Sequence, residues 1–331
     1  MKTLKNLLVL VIVAVLGLSL ASCGGNSKLT KVGILKYVTA PALDAAEEGI
    51  IEALENAGFV DGENIEIIRQ NPQANASALT NAAISLVNKC DLIFAIATPA
   101  AQAVKAEIEN QGKETPLIFT AVTDPVSAGL VESVENKTGF VTGTNDMNPV
   151  VDQVSLIHEV NANVKKMGII YSSNEVNSKI QSDLAEAQAK KMGIETFVQT
   201  INSVNDITNA INALVNKGIE AIYLPTDNVV ATAVATIVNI TNDHGIISVC
   251  GEEGMALDGG ILSYSINYKA LGLMTGEMGA KILKGEATPN QIPVGGLAAE
   301  DLSLVVNTKA AAAANISLPE EFVAEADVVI K

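Results

Sequence analysis

From Lys31 onward, short apolar runs alternate with longer stretches whose apolar positions recur every three or four residues. Lys31-Val32-Gly33-Ile34-Leu35 reads as a strand, and Ala42 to Asn56 as a helix closed by Gly58. Ile65 to Ile68 is a second strand, Ser77 to Asn88 a helix, and Leu92 to Ala97 a third strand. Ala100 to Asn110 is again helical, and Leu117-Ile118-Phe119 begins another strand. Such alternation builds a parallel sheet with helices on both faces.

The pattern then starts again. Lys165 to Tyr171 echoes Lys31 to Lys36 at an offset of 135, and Gly193 echoes Gly58 at the same offset. Residues 80–98 align without gaps on 208–226 with eight identities in nineteen positions, from Thr80/Thr208 to Thr98/Thr226. The chain therefore holds two lobes of one design. In an open parallel α/β sheet, ligands bind beyond the carboxyl ends of the strands. Two such rims facing one another line a single cleft, and pockets form preferentially at domain interfaces. Residues just after each strand, in both halves, are the candidate site.

Composition narrows the chemistry. With 331 residues and 48% apolar content, the chain can bury two cores. Its formal net charge of -16 lacks the basic footprint that nucleic-acid binding needs. Arg69 is the only arginine, there is no Trp, and His158 and His244 are the only histidines. No Cys/His cluster has metal-ligand spacing, and there is no Gly-x-Ser-x-Gly elbow, Gly-Lys phosphate loop or dinucleotide fingerprint. Enzyme readings are correspondingly unattractive, and no cofactor or metal is expected. Cys90 and Cys250 sit in strongly apolar runs and read as buried thiols rather than as a disulfide.

The first 22 residues carry Lys2 and Lys5, then an apolar run from Leu7 to Leu18, the form of a secretory signal. The run is too short for an ordinary membrane span. Leu20-Ala21-Ser22-Cys23 resembles the lipobox of bacterial lipoproteins, in which the Cys is acylated and the chain is cut just before it. Cys23 would then be residue one, tethered to the outer face of the cell membrane by acyl chains such as palmitate, each buried CH₂ adding roughly 0.8 kcal/mol. Residues 23–29 include Gly24-Gly25-Asn26-Ser27-Lys28, a flexible polar tether.

Several segments carry a family resemblance: Ala97 to Gln102, Phe119 to Pro125, Thr138-Gly139 with Thr142-Gly143, Tyr171 to Ser178, Tyr223 to Asn228, Leu271-Gly272 through Glu286, and Val306 to Lys309. In this order and spacing the chain resembles the substrate-binding lipoproteins of ABC importers with the type I periplasmic-binding fold, in the tryptophan/tyrosine branch. The resemblance implies two Rossmann-like α/β lobes with three crossings, placed near Gly143–Asp146, Leu262–Ser265 and Leu297–Asp301. The first lobe would be 30–143 plus 265–296, and the second 146–262 plus 301–331. It further implies a monomeric receptor that hands a free amino acid, aromatic before branched-chain, to an ABC permease with its ATPase. A sensory receptor of the same fold, signalling to a membrane kinase or chemoreceptor, is the alternative.

Each candidate site residue has a structural rival. Thr98, Pro99, Ala100 and Ala101 open a helix after a buried strand, where free amides suit an α-carboxylate; Thr98 equally serves as a plain cap. Thr123 is a contact candidate, while Asp124 either holds an ammonium or braces its turn. Ser172, Ser173, Glu175, Asn177 and Ser178 crowd one loop with more polar groups than a helix cap uses. Tyr37, at the matching place in the first half, lies against the ligand or in the core. Asp227 is the expected ammonium partner, with a helix cap as its rival, and Glu253 is the second choice. Arg69 is expected at a strand end on the surface.

Overall fold

The computed structural model describes residues 29–135 and 139–331. The signal, Cys23 with most of its tether, and Thr138 lie outside the described residues.

Two sheets organise the chain. The first has the order β2-β1-β3-β4-β5, with β1 Thr30–Lys36, β2 Ile65–Gln70, β3 Leu92–Ile96, β4 Leu117–Val122 and β5 Val141–Asn145. The second has the order β12-β11-β10-β9-β8-β6-β7, with β6 Lys166–Ser172, β7 Glu195–Ile201, β8 Ala221–Leu224, β9 Ile247–Cys250, β10 Leu262–Ile266, β11 Leu302–Asn307 and β12 Val328–Ile330. The run β7-β6-β8-β9-β10 reproduces β2-β1-β3-β4-β5, so the sequence repeat is a repeat of topology. The pairs β1–β3, β3–β4 and β4–β5 of the first sheet are parallel, as are those of the second except β10–β11. β3 and β4 are buried along their whole length, as expected of strands covered by helices on both faces.

The helices follow the apolar periodicity. Helix α1 (Pro41–Asn56) buries Leu43, Ala46, Ile50 and Leu54 with Pro at its first turn. Helix α2 (Ala76–Lys89) starts where Asn75 accepts from the Ala78 amide at 2.9 Å, and α3 (Thr98–Asn110) follows β3 directly. The second half repeats this with α4 (Val150–Val160), α5 (Val176–Lys191), α6 (Ile207–Val215), α7 (Asn228–Thr232), α8 (Val234–Asp243) and α9 (Glu253–Leu257). Cys90 and Cys250 are both free and buried.

The chain passes between sheets three times. Thr144 and Asn145 still belong to β5, so the first passage is 146–149 rather than Gly143–Asp146. The second was expected at Leu262–Ser265, yet Ser265 and Ile266 pair with Ser303 and Leu302 in the second sheet. The crossing therefore waits until Asn267. The reason is long-range: the partner strand β11 enters only 36 residues after Ile266, and no local pattern announces it. The third passage leaves the edge of β5, where the Asn145 amide donates to the Gly295 carbonyl at 2.9 Å, and reaches β11 at Leu302.

Helix α10 (Tyr268–Leu283), immediately after the second passage, returns to the first lobe. Asn267 caps it through the Ala270 amide at 2.8 Å. It lies on α1 through glycines: a Cβ on Gly272 would stand 2.1 Å from the Ala46 carbonyl oxygen, and one on Gly49 would stand 2.2 Å from that of Lys269. Gly279 sits as tightly over the Phe94 ring. Backbones this close exclude any side chain at the crossing point.

Candidate functional site

The loops after the strands converge on one cavity between the lobes, with about 360 Å³ of space not filled by protein atoms, part of it open to solvent. The first lobe contributes Ala40, Ala42 and Leu43 after β1, and Ala121 and Thr123 at the end of β4. The passages contribute Asp146 and Tyr268. Across from them stand Asn177, then Thr226, Asp227, Asn228 and Ala231 after β8, and Glu252 with Met255 after β9. The wall is mainly apolar, with a few polar groups set into it, as in small-molecule sites generally.

Local backbone geometry aims these groups. Ala121 has φ 54° and Ala97 φ 85°, both in the region that alanine rarely adopts. The β4–β5 register shifts between Phe119 and Val122. A bulge with one left-handed residue bends the strand end, and Thr123 follows it into the cavity wall. Strained residues of this kind persist where the surrounding structure holds them, often at functional sites.

Thr123 is buried and accepts from Gln181 Nε2 of the opposite lobe at 3.2 Å, while also bonding the Asp146 carboxylate. Gln181 is tied down in turn, because its Oε1 accepts from the Thr226 amide at 2.9 Å. Tyr268 donates its hydroxyl to Asp146 Oδ2 at 2.8 Å. Asn148 joins the two passages, accepting from the Ile266 amide at 2.9 Å and donating to the Tyr268 oxygen at 3.3 Å. The hinge segments are thus laced together beside the cavity.

On the second lobe the loop after β6 carries the densest polar cluster. Glu175 Oε2 accepts from Asn228 Nδ2 at 2.5 Å and from Asn177 Nδ2 at 3.2 Å. Burial, and then the neighbouring Asp227 charge, push the Glu175 carboxyl up to about 8. Tyr37 is buried across from this pair, and burial followed by the charges of Glu175 and Asp227 raises its phenol to about 12. Asp227 accepts from the Val229 and Val230 amides at 3.0 and 2.8 Å through Oδ1, and from the Ser172 amide at 2.6 Å through Oδ2. Ser178 bonds it as well, and burial raises its carboxyl against these bonds. Asp227 is therefore a fully engaged helix cap that also lines the cavity.

The other candidates divide. Ser172, Asn177 and Ser178 are buried in the polar cluster, whereas Ser173 is exposed and bonds Asn202 Oδ1 at 2.7 Å on the surface. Asp124 braces its own turn through the Ser127 hydroxyl at 2.6 Å and the Ser127 and Val126 amides at 3.0 and 3.1 Å. Burial works against its ionisation, but these bonds hold its carboxyl below the usual value. Thr98, Pro99, Ala100 and Ala101 open α3 as expected, with the Ala101 amide returned to the Ala97 carbonyl at 3.1 Å, but they do not line the central cavity. Glu253 also lies off it, lining a shallow groove with Pro41 and Ala45. Its neighbour Glu252 is the buried carboxylate at the cavity, with both oxygens occupied by the Gly254 and Met255 amides at 2.5 and 2.9 Å. Arg69 is exposed and pairs with Glu47 and Asp61, each at 3.2 Å.

Sequence reasoning missed Asp146, Tyr268, Gln181 and Glu252. Asp146 and Tyr268 follow β5 and β10, at equivalent places in the two halves, so the repeat carried through to its fifth strand points to them. Gln181 left no such signal, since it lies one turn into a helix.

Five buried polar atoms without a hydrogen-bond partner belong to residues at or shortly after the ends of β3, β5 and β6: Thr98 Oγ1, Asp146 Oδ1, Ser172 Oγ, Glu175 Oε1 and Asn177 Oδ1, of which Asp146 and Asn177 line the cavity. Unsatisfied buried groups are rare in folded proteins, and each calls for a reason. Those left on His158, Ser182 and Asn242 lie within helices.

Comparison with known proteins gives these features a context. The family model for ABC transporter substrate binding proteins matches residues 31–330. The tyrosine-binding protein of Clostridioides difficile is 37% identical over 319 residues, covering 92% of this chain and 90% of that protein. A domain from Streptococcus pneumonia crystallised with L-Trp is 34% identical with a TM-score of 0.85, covering 92% of this chain and all of that one. The ligand-free, open structure of a substrate binding protein with adhesive properties from Clostridium difficile is 36% identical but has a TM-score of 0.67, covering 92% of this chain and 99% of that one. Identity is nearly the same for both structures, and the fit is closer to the one crystallised with L-Trp. With two lobes of the type I periplasmic-binding fold, their strand ends turned toward one cleft, the chain belongs to the ABC transporter substrate-binding proteins, receptors that hold a small molecule for an ABC permease rather than enzymes that transform it.

Proposed function

We propose that this receptor captures a free aromatic amino acid between its lobes and delivers it from the extracytoplasmic face to its permease. The observation that carries the reading is one interlobe cavity that is lined by apolar residues and by Asp146 and Asn177, each with a buried oxygen that has no partner. A zwitterion with an apolar side chain supplies donors for those oxygens and surface for the alanines, Leu43 and Met255. The ammonium is assigned to Glu175, whose Oε1 has no partner and whose carboxyl feels the neighbouring Asp227 charge. Ser172 and Asn177 stand beside it. The aromatic choice draws on the relatives, one a tyrosine-binding protein and one crystallised with L-Trp. Isothermal calorimetry across the twenty amino acids tests the reading: one site per chain with Tyr or Trp is expected. Heat with a sugar or nucleoside alone removes it.

The anchoring belongs to the same proposal. Cleavage before Cys23 and acylation of its thiol leave a monomer tethered by residues 23–29. Among the described residues no helix is long and apolar enough to cross a membrane. Cys23→Ala is expected to release the protein from the membrane fraction with ligand affinity unchanged. A variant that stays acylated and membrane-bound rules the anchor out.

A further inference from the structure

Asp146 is a carboxylate at the cavity with an oxygen left over. It is 2% exposed and lines the cavity from the first passage between lobes. Its Oδ2 takes the Tyr268 hydroxyl at 2.8 Å, and Thr123 bonds the carboxylate as well. Oδ1 is buried with no partner. Its surroundings explain why it stays in place: Tyr268 and Thr123 bond it, Asn148 donates to the Tyr268 oxygen in turn, and Tyr268 opens α10, which is packed on α1 through glycines.

Asp227 and Asn177 line the cavity from the second lobe and Asp146 lines it from the hinge, with Ala40, Ala42, Leu43, Ala121 and Met255 among the apolar wall residues; of the polar three, Asp146 Oδ1 and Asn177 Oδ1 have no partner. An amino acid has one ammonium. With the ammonium assigned to the second lobe, a ligand that also satisfies Asp146 needs a second donor at the far end of an apolar side chain.

Resting on the aromatic amino-acid reading, we propose that Asp146 Oδ1 reads a hydrogen-bond donor on the ligand ring, the phenol of tyrosine or the indole N–H of tryptophan, and so selects against phenylalanine. The physical basis is the asymmetry of buried polar groups. A site built around a substrate hydroxyl leaves its own acceptor stranded when the analogue lacks that hydroxyl, which penalises the analogue far more than a lost methylene does. Tyr268 acts as a positioning residue, setting the carboxylate so that Oδ1 faces the ring.

The test is calorimetry with Tyr, Trp, Phe and 4-methylphenylalanine, the last matching tyrosine in size without a donor. Wild type is expected to bind Tyr or Trp at least tenfold more tightly than Phe and 4-methylphenylalanine. Asp146→Leu is expected to collapse that ratio toward one by losing Tyr affinity, with Phe affinity held or improved. Tyr268→Phe, which keeps the ring and the helix packing, is expected to narrow the same ratio if Asp146→Leu does not fold. Equal affinities for Tyr and 4-methylphenylalanine in wild type, or an equal loss for all four ligands in the folded variants, overturns the Asp146 assignment while leaving the aromatic reading intact. Binding of none of the four overturns both.

Discussion

Gln181 and Thr123 stand on opposite lobes, yet Gln181 Nε2 donates to Thr123 Oγ1 across 3.2 Å of buried space. The bond ties the two lobes together, so it favours closure. Thr123→Val removes the acceptor with little change in volume, and a neutral hydrogen bond of this kind contributes about 1 kcal/mol net. The closed population falls accordingly, and apparent ligand affinity drops roughly fivefold. Small-angle scattering of the unliganded variant should show a larger radius of gyration. An unchanged profile and affinity would mean the bond does not favour closure.

Glu175 and Asp227 should separate on mutation. Asp227 already receives three backbone amides, so Asp227→Asn acts mainly on the fold, at about 1 kcal/mol for a weakened cap. It should affect the ligand and its deaminated analogue alike. Glu175→Gln removes the negative charge assigned to the ammonium and should weaken only the amine-bearing ligand, by about 1.5–3 kcal/mol. Calorimetry of both ligands on both variants checks this; the reverse pattern would return the ammonium to Asp227.

The same pair sets a pH dependence. Burial and then the Asp227 charge raise the Glu175 carboxyl to about 8 from an ordinary 4.5. The folded unliganded chain thus holds a proton that the unfolded chain releases. The contribution of Glu175 to stability is complete below about pH 4.5 and is lost as pH rises toward 8. Thermal melts of unliganded protein should decline across that interval, and Glu175→Gln should flatten the decline. Ligand affinity should run the other way, rising toward pH 8, because an ammonium favours the ionised carboxylate. Titrations in buffers of different ionisation enthalpy should show proton release on binding, and absence of release would contradict the assignment.

The contact between α1 and α10 has no room for a methyl group. Gly272→Ala places a Cβ 2.1 Å from the Ala46 carbonyl oxygen and must force the helices apart. Overpacking of this kind destabilises by about 1–3 kcal/mol. Urea unfolding should show a lower midpoint, whereas Gly285→Ala, with nothing within 4 Å of its Cβ but a φ of +70°, reports backbone strain alone. A Gly272→Ala midpoint equal to wild type would mean the helices shift at no cost.

The first lobe was legible because its signals are local. Ala42 to Asn56 and Ser77 to Asn88 carry their periodicity and stops within themselves, and α1 and α2 fall within a residue of those bounds. The repeat between 80–98 and 208–226 exposed the second sheet, since β3 and β8 occupy the same place in their sheets. The crossings were less legible because they depend on strands that pair from far along the chain, as Ile266 does with Leu302. At the site, residue type found the right loops but not always the right member. Glu252 and Glu253 are chemically identical neighbours, and only the turn entering α9 decides which of them points into the cavity. Asp227 reads as a binding group with a helix cap as its rival, and it both caps α7 and lines the cavity, because the two roles share the same sequence.

Helix α10 also governs when the receptor can fold. It completes the first lobe by laying Gly279 over Phe94 and Gly272 over Ala46, yet it follows five strands of the second lobe in the chain. A nascent or newly exported chain has therefore made all of β1 to β5 long before the element that covers them exists. Contacts of such sequence separation form late, because the intervening loop must be closed first. The lobe nearest the N-terminus cannot mature ahead of its neighbour, and its uncovered sheet face is the surface a chaperone would meet during export.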